Sequence, residues 1–408
     1  MSTDTLFRRI TDYANRPDPY PLYAELREHG VARQEDGAFL VGTYDEITAL
    51  LHDPRVSSDV RNRDDAEELL AGEDPAAPRS FIALDDPEHD RLRRLAMRRF
   101  GPPHTPGRID ALRQDITAIA EDLARGLGEK QHIDIVDDFA FPLPVAVICR
   151  LLGVPGEDVP QVHEWADAVV AGLDFSPEEE PAERRRTALQ ARQAMGVYLG
   201  ELARTRRERP TGDLLSQLAN EDGPDGRLTD GELMSTATLL LIAGHETTVN
   251  LITNGVLTLG RHPEALQRLC DDPELMPRAV EELLRFEPPV QFLPQRTPLA
   301  DIEVAGVTVP KGAPLILVLA SGNRDPLRFP EPDRFRPDRE DNQHLGFGSG
   351  VHSCFGAPLA RLETQIALTV LLRRLGSWRL LADPPEYRRS PVLRGPRHLP
   401  VERGGGVS

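Results

Sequence analysis

The feature that most restricts the fold is a stretch of about 30 residues that is apolar on almost every side. It opens at Thr229, which has the spacing of a capping box with Glu232, so we predict a helix from here to about Gly260. At 1.5 Å per residue, such a helix is roughly 45 Å long. Because Met234–Thr258 is apolar all round, we predict that the helix is fully buried at the centre of the protein.

Polar residues interrupt this helix at Ala243–Thr248, which reads AGHETT. A carboxylate and hydroxyls inside a buried helix are costly unless they have partners or a function. Gly244 leaves room for close approach, and Thr247 can donate to the carbonyl four residues before it and loosen the helix. A zinc-protease motif would need a histidine at 249, but Val249 stands there. Glu246 has two compatible interpretations, a salt-bridged core acid or a proton-transfer group.

A second stretch, Phe347–Gly356, reads FGSGVHSCFG. Its glycines allow positive φ and close backbone approach, so the loop can lie flat while Cys354 projects from it. Ala357–Leu375 follows with apolar residues at helical spacing, which predicts a helix. Cys354 therefore precedes a helix N-terminus, where free amides favour an anion, and we predict a metal-binding thiolate. The alternative is a structural cysteine beside a glycine turn.

The loop resembles the haem-binding loop of the cytochrome P-450 family, and AGHETT resembles that family's A-G-x-E-T groove. The resemblance covers essentially the whole chain. It implies a mainly α fold with a smaller β-rich region, one domain over 1–408, and a long central helix over a haem. The cofactor implied is haem b, with the thiolate of Cys354 as axial iron ligand. Glu246 and Thr247 are implied as catalytic residues, Thr247 orienting a water near the iron and Glu246 relaying solvent protons.

The resemblance also assigns the residues that hold the cofactor. His89 and Arg93 share one face of a helix that begins at Asp86-Pro87-Glu88 and stops at Gly101-Pro102. They match the pair that binds one haem propionate, and Arg296 matches the arginine that binds the other. The remaining cofactor-binding residues implied are Phe347, Gly348, His352, Cys354 and Gly356.

Glu282 and Arg285 match the family's structural E-x-x-R pair. A second arginine completes that cluster in the family, and Arg339 is the candidate here, with Arg334 as competitor. Glu281 also lies four residues before Arg285, so an exposed ion pair is the alternative interpretation.

Segments around the pocket are assigned by position in the family only. The polar segment 57–80 and the loop Ser176–Arg186 would cover the substrate pocket, although the latter also reads as a solvated loop entering a helix. The predicted substrate contacts are Phe81, Ile82, Ala243, Val290, Phe292, Leu293 and Leu393. Other arginines of the 88–99 helix read as a solvated basic face or as a docking surface for an acidic electron donor. These are Arg91, Arg94, Arg98 and Arg99.

Smaller elements follow from local patterns. We predict mostly helix over 109–222, with interruptions at Pro142/Pro144, and β-rich parts at roughly 30–56, 300–320 and 378–402. The individual elements predicted there are a helix at Tyr20–His29, a hairpin around Gly37–Val41, a strand at Ile302–Val309, a turn at Pro310-Lys311-Gly312 and a strand at Leu315–Leu319.

Composition excludes some classes of function. A net charge of −18 argues against nucleic-acid binding, which needs a basic surface. The apolar runs fall far short of the ~20 residues of a membrane span, and no signal peptide is evident. Three widely spaced cysteines make no disulfide framework and favour the cytoplasm.

The function implied is a haem-thiolate monooxygenase. It would activate O₂ with two NAD(P)H-derived electrons from a ferredoxin and a ferredoxin reductase, and hydroxylate or epoxidise a hydrophobic small molecule. A polyketide, terpenoid or steroid of secondary metabolism is expected. The alternatives are a peroxide-driven haem oxygenase and a non-catalytic thiolate-haem sensor or electron carrier, although the Glu246–Thr247 pair speaks against the latter.

Overall fold

A computed structural model describes residues 4–71, 78–100, 105, 107–128, 130–172 and 181–404. The predicted helix end at Gly101-Pro102 and residues 176–180 of the predicted lid loop lie outside the described residues. The helices are α1 (Asp4–Thr11), α2 (Tyr20–His29), α3 (Tyr44–His52), α4 (Ala66–Leu69), α5 (Glu88–Phe100), α6 (Gly107–Ala111), α7 (Arg113–Gly126), α8 (Pro142–Leu152), α9 (Val159–Ala171), α10 (Pro181–Glu208), α11 (Leu214–Ala219), α12 (Asp230–Arg261), α13 (Pro263–Asp271), α14 (Met276–Phe286), α15 (Leu319–Gly322) and α16 (Ala357–Leu375).

The central helix is α12, as predicted. Thr229 and Glu232 form both hydrogen bonds of the capping box, and the helix continues for 32 residues. It packs against α8, α10, α14 and α16, so most of its side chains are buried in the largest apolar core. The predictions for α2 and α16 are also confirmed, with the same boundaries.

The strands form three sheets. A five-stranded sheet has the order β1-β2-β8-β5-β3, a three-stranded sheet the order β4-β10-β9, and β6 and β7 form a hairpin. The strands are β1 (Val31–Arg33), β2 (Phe39–Val41), β3 (Val56–Ser57), β4 (His132–Asp134), β5 (Leu293–Pro298), β6 (Ile302–Val304), β7 (Val307–Val309), β8 (Leu315–Leu317), β9 (Trp378–Leu380) and β10 (Pro400–Arg403).

Three predictions about these smaller elements are wrong in whole or in part. The expected strand Ile302–Val309 is instead the β6–β7 hairpin, because Ala305 and Gly306 turn the chain with positive φ. Two strands fall outside the predicted β-rich parts, namely β4 and β5. The interruption predicted at Pro142/Pro144 lies just before Pro142, which opens α8 and has no intrahelical N–H partner to lose, whereas Pro144 lies inside α8 and does not interrupt it.

Among the described residues, no helix combines the length and the apolarity that crossing a membrane requires.

Candidate cysteine-centred active site

The loop that carries Cys354 is fixed at both ends. The Cys354 amide donates to the carbonyl of Phe347 at 2.9 Å and closes the loop just before α16. Gly348 has φ +66°, and a side chain at Gly350 would meet the carbonyl oxygen of Leu51 at 2.1 Å. These two glycines are therefore required for the fold of the loop.

Opposing effects act on the thiol of Cys354. Burial raises the pKa of its thiol, against the lowering effects of the Gly356 and Ala357 amides and of Arg93. The residue is nevertheless accessible to solvent, so the protein surrounds the thiol without covering it. Desolvation outweighs the helix N-terminus, so the thiol needs a bound cation to become a thiolate.

Four cationic or titratable side chains gather beside this loop, and we call them the cationic cluster: His89, Arg93, Arg296 and His352. The imidazole rings of His89 and His352 lie 4.3 Å apart between centroids. The Arg93 guanidinium donates to the carbonyl of Ser353 at 2.6 Å. Helix α5 supplies the first two residues, β5 supplies Arg296 and the loop supplies His352.

The cationic cluster is only partly balanced by carboxylates: His89 Nδ1 lies 3.3 Å from Asp86 and 3.4 Å from Asp90, and both acids are far more exposed than the ring. His89 Nε2 and His352 Nδ1 are buried without a hydrogen-bond partner. Burial lowers the pKa of Arg296 to about 10, with only the charge of Asp85 opposing it. Burial, followed by the charges of Arg296, His89 and Arg93, lowers the pKa of His352 to about 3. Buried donors of this kind call for an anionic ligand.

The central helix presents its own open face at the AGHETT segment. Ala243 is exposed and Thr247 partly exposed, although most of the helix around them is buried. The hydroxyl of Thr247 donates to the carbonyl of Ala243 at 2.9 Å, as expected. These two residues therefore line a space next to the helix rather than packing into the core.

Glu246 is a buried, ion-paired acid. Its Oε1 lies 3.1 Å from Arg388 Nε and 3.3 Å from Asn250 Nδ2, while its Oε2 has no partner. The N–H of Arg388 is not aimed at the oxygen, so the contact is an ion pair without a hydrogen bond. Sequence reasoning missed Arg388, and no local pattern could have found it, because it lies far along the chain from Glu246.

A second charged group, which we call the ionic cluster, consists of Glu282, Arg285 and Arg339. The carboxylate of Glu282 accepts hydrogen bonds from the guanidinium of Arg285 at 2.7 and 2.8 Å and from that of Arg339 at 3.1 and 3.2 Å. Both Glu282 and Arg285 are fully buried. The structure brings Arg339 to Glu282, whereas the side chain of Arg334 points to Glu331. The arginines also donate to backbone carbonyls, so both guanidinium groups have hydrogen-bond partners within the chain, although one carboxylate faces two positive charges.

Of the predicted substrate contacts before α5, Phe81 lies against the cysteine loop. Its ring packs edge-on against Phe355 at 5.4 Å and near His89 at 6.4 Å. Phe81 is buried, whereas Ile82 is 50% exposed. Phe81 thus borders the cationic cluster, and the substrate contact of Ile82 stays a prediction.

Of the predicted substrate contacts around β5, some are partly exposed and others are buried. Leu293 and Val290 are partly exposed, and Val290 pairs with Leu393 in an isolated β-bridge. Phe292, in contrast, is fully buried and packs edge-on against Phe7 at 6.1 Å. Its predicted substrate contact is not supported, because its ring fills an apolar core. Leu393 is buried in that same core.

The remaining arginines of α5 do not form a free basic face. Each makes an ion pair with an acidic residue of the segment 221–232, which neutralises the docking surface considered above. The pairs are Arg91 with Glu232, Arg94 and Arg98 with Asp225, and Arg99 with Glu221.

Comparison with known proteins gives consistent matches. The family model described as cytochrome P450 matches residues 179–387. PikC, a cytochrome P450 monooxygenase of Streptomyces venezuelae, is 39% identical, over 94% of this chain and 91% of its own length. The 6-deoxyerythronolide B hydroxylase of Saccharopolyspora erythraea is 38% identical, over 95% of this chain and 96% of its own.

A solved structure shows the same fold. The cytochrome P450 PksS of the Bacillus subtilis bacillaene polyketide synthase superposes with a TM-score of 0.87 at 33% identity. The match covers 97% of this chain and 99% of that one. The helical architecture around α12 with its smaller sheets is therefore shared along nearly the whole chain.

Proposed function

Since the chain belongs to the cytochrome P450 family, a family of monooxygenases that hold haem iron with a cysteine thiolate, we propose that it oxidises a hydrophobic secondary metabolite of the polyketide class. The electrons come from a ferredoxin and its reductase. The observation that carries this proposal is the open face of α12. There Ala243 and Thr247 line a space beside a helix whose other side chains are mostly buried. The exposed methyl of Ala243 beside the partly exposed Thr247 suits a substrate with few charged groups.

The residues present fit a haem. Its two propionates would supply anionic partners to the cationic cluster, since His89 Nε2 and His352 Nδ1 are buried and unpartnered. Arg296 and Arg93 would donate to the same carboxylates. Cys354 would hold the iron through its thiolate, and the charge of the iron would offset the desolvation that raises the pKa of its thiol. Phe347, Gly348 and Gly356 shape the loop around it.

The chain's own residues then control protons and geometry. The bound haem supplies the reduction of O₂ and the transfer of one oxygen atom to the substrate. The hydroxyl of Thr247 can leave the carbonyl of Ala243 and orient a water in the space beside α12. Glu246, with Oε2 unpartnered, passes solvent protons toward that water. Glu282, Arg285 and Arg339 keep their structural role.

The substrate class rests on the relatives. One is named as a hydroxylase of 6-deoxyerythronolide B, and another belongs to a polyketide synthase system. We extend that class to this chain, together with a cytoplasmic location and a single catalytic domain over 1–408.

Cys354→Ala tests the proposal at its centre. The variant should lose the red-shifted absorption band of the reduced, CO-treated protein, because that band requires a thiolate ligand. Wild type should bind 6-deoxyerythronolide B with a spin-state change in its absorption spectrum, and should convert it when NADPH, ferredoxin and reductase are present.

Retention of the band in Cys354→Ala would overturn the ligand assignment. Conversion by hydrogen peroxide but not by the electron-transfer chain would favour the peroxide-driven alternative. A protein that oxidises no substrate with either hydrogen peroxide or the electron-transfer chain would favour the sensor or electron-carrier alternative.

A further inference from the structure

Two titratable side chains beside Glu246, those of Asp167 and His245, have no part in the function described so far, and together with Glu246 they form one group. Asp167 on α9, with His245 and Glu246 on α12, each contribute one ligand-type atom, and these three atoms lie within 4.8 Å of one another. The side chain of Asp167 is 51% exposed. His245 and Glu246, in contrast, are each 1% exposed. The group therefore connects solvent with the interior of the protein.

Each of the two buried members has one anchored atom and one free atom. His245 Nδ1 lies 3.0 Å from the carbonyl of Leu241, and because a carbonyl only accepts, Nδ1 carries the hydrogen. This leaves Nε2 as an acceptor, and it is buried without a partner. Glu246 is held through Oε1 by Arg388 and Asn250, while its Oε2 is likewise buried and unpartnered.

The charges around the group suit proton transfer. Burial and the charge of Glu246 raise the pKa of Asp167, while His163, 3.5 Å away, His245 and Arg388 lower it, and the net direction is upward. Burial lowers the pKa of His245; the hydrogen bond to the carbonyl of Leu241 and the charge of Asp167 oppose that shift, and the charges of His163 and Arg388 add to it.

A divalent cation on the same three atoms is the competing possibility. Arg388 already places a positive charge 3.1 Å from Glu246, which opposes a second cation there. An aromatic ring, that of Phe141, packs against His163 at 4.2 Å and near His245 at 6.4 Å. This apolar contact limits the polar ligands available to a metal but does not hinder a proton.

We propose that Asp167 and His245 form the path by which solvent protons reach Glu246, a step that rests on the relay role proposed for Glu246. A proton taken up by Asp167 leaves its carboxyl oxygen as an N–H bond forms at His245 Nε2. That N–H bond then breaks as an O–H bond forms on Glu246, and no electron moves. A gap of up to 4.8 Å is bridged by one water that hydrogen-bonds to both groups. Both residues act through Glu246.

The first test separates proton delivery from the rest of catalysis. In haem-loaded protein, NADPH oxidation through ferredoxin and reductase draws protons through the protein. Oxidation of guaiacol by hydrogen peroxide does not, because peroxide brings its own protons. Asp167→Asn and His245→Gln should slow the first reaction about 10-fold and increase its solvent deuterium isotope effect. They should leave the second reaction unchanged, and Glu164→Gln, an exposed acid of the same helix, should change neither.

The second test needs no turnover. Exchange of the His245 ring C2 hydrogen in D₂O, followed against pH by mass spectrometry, gives the pKa of that ring. Asp167→Asn should lower this pKa, because it removes the carboxylate charge that raises it, and Glu164→Gln should not. Since Asp167 is at the surface, this variant folds even if His245→Gln does not.

The outcomes distinguish the two proposals. If Glu246→Gln keeps the wild-type rate of NADPH oxidation, the relay role of Glu246 fails. If Glu246→Gln slows that rate while Asp167→Asn leaves both the rate and the His245 titration unchanged, only the uptake path fails. Equal slowing of the NADPH- and peroxide-driven reactions by Asp167→Asn would also overturn the path, since it would indicate general damage to the site.

Discussion

The ionic cluster and the cationic cluster both place arginine side chains inside the protein, but they differ in how completely their polar atoms are paired within the chain. Glu282 is fully buried and is bonded to both Arg285 and Arg339. In the cationic cluster, His89 Nε2 and His352 Nδ1 have no partner, and the guanidinium of Arg296 donates to the carbonyl of its neighbour Gln295.

This difference separates a structural use of buried charge from a ligand-binding one. Moving a cation out of water costs several kcal/mol unless a counter-charge and hydrogen bonds compensate it. The ionic cluster makes that compensation within the chain, so it is complete without a ligand. The cationic cluster is incomplete, and an anion such as a haem carboxylate would complete it.

The largest expected effect comes from breaking the complete cluster. Glu282→Gln leaves Arg285 and Arg339 buried without a counter-charge, so the free energy of unfolding should fall by about 3–5 kcal/mol. Urea unfolding of the haem-loaded protein measures this loss. Glu281→Gln is the matched control, because Glu281 is the neighbouring acid but is partly exposed. It should lose about 1 kcal/mol at most. Equal losses for the two variants would contradict the assigned difference.

A smaller and different effect is expected from the incomplete cluster. Arg296→Met would remove the charged hydrogen-bond donor that we assign to a haem carboxylate, worth about 1.5–3 kcal/mol, so haem should dissociate about 10- to 100-fold faster. Transfer of haem to excess apomyoglobin measures this rate.

Stability without haem provides the contrast. Protein prepared without haem should be as stable with Arg296→Met as wild type, or more stable, since an uncompensated buried charge is removed. Arg339→Met should destabilise the protein whether or not haem is bound. A loss of haem-free stability in Arg296→Met would mean that Arg296 has a structural partner after all.

Local signals explain which parts of this molecule could be predicted from sequence. The capping box at Thr229 and the glycine loop before Ala357 lie next to the helices that they start, so both helices were predicted closely. The strand β4, in contrast, pairs with β10 across most of the chain, and β5 contains prolines that disfavour a strand assignment.

The same limit applies to the site. The family motif predicted Glu246 and Thr247, but Arg388 and Asp167 reach Glu246 only through the tertiary fold. The prediction of a thiolate at Cys354 used the helix N-terminus beside it and the resemblance of its loop to the family's haem-binding loop. Desolvation by the rest of the protein acts in the opposite direction and is larger.

The smallest expected effect concerns Glu281, which adjoins the ionic cluster in sequence. Burial raises the pKa of Glu281, but hydrogen bonds from His344 at 3.1 Å and Arg361 at 2.6 Å outweigh it and hold the pKa at about 2, against an ordinary 4.5. A carboxyl with a lowered folded-state pKa contributes stability that is complete above pH 4.5 and is lost as pH falls toward 2.

Arg361→Gln should therefore lower the free energy of unfolding by up to about 1 kcal/mol at pH 7, and the gap to wild type should narrow as pH falls below 4.5. Urea unfolding at neutral pH and at two acidic values measures the gap. The guanidinium of Arg361 also stacks over the Phe347 ring at 4.6 Å, a contact that does not titrate. A gap that stays constant with pH would assign the contribution of Arg361 to this stacking and contradict the charge argument. A gap that closes would show that Glu281, although partly exposed, is stabilised by cationic partners within the chain. The cationic cluster differs, because two of its buried nitrogen atoms have no partner there.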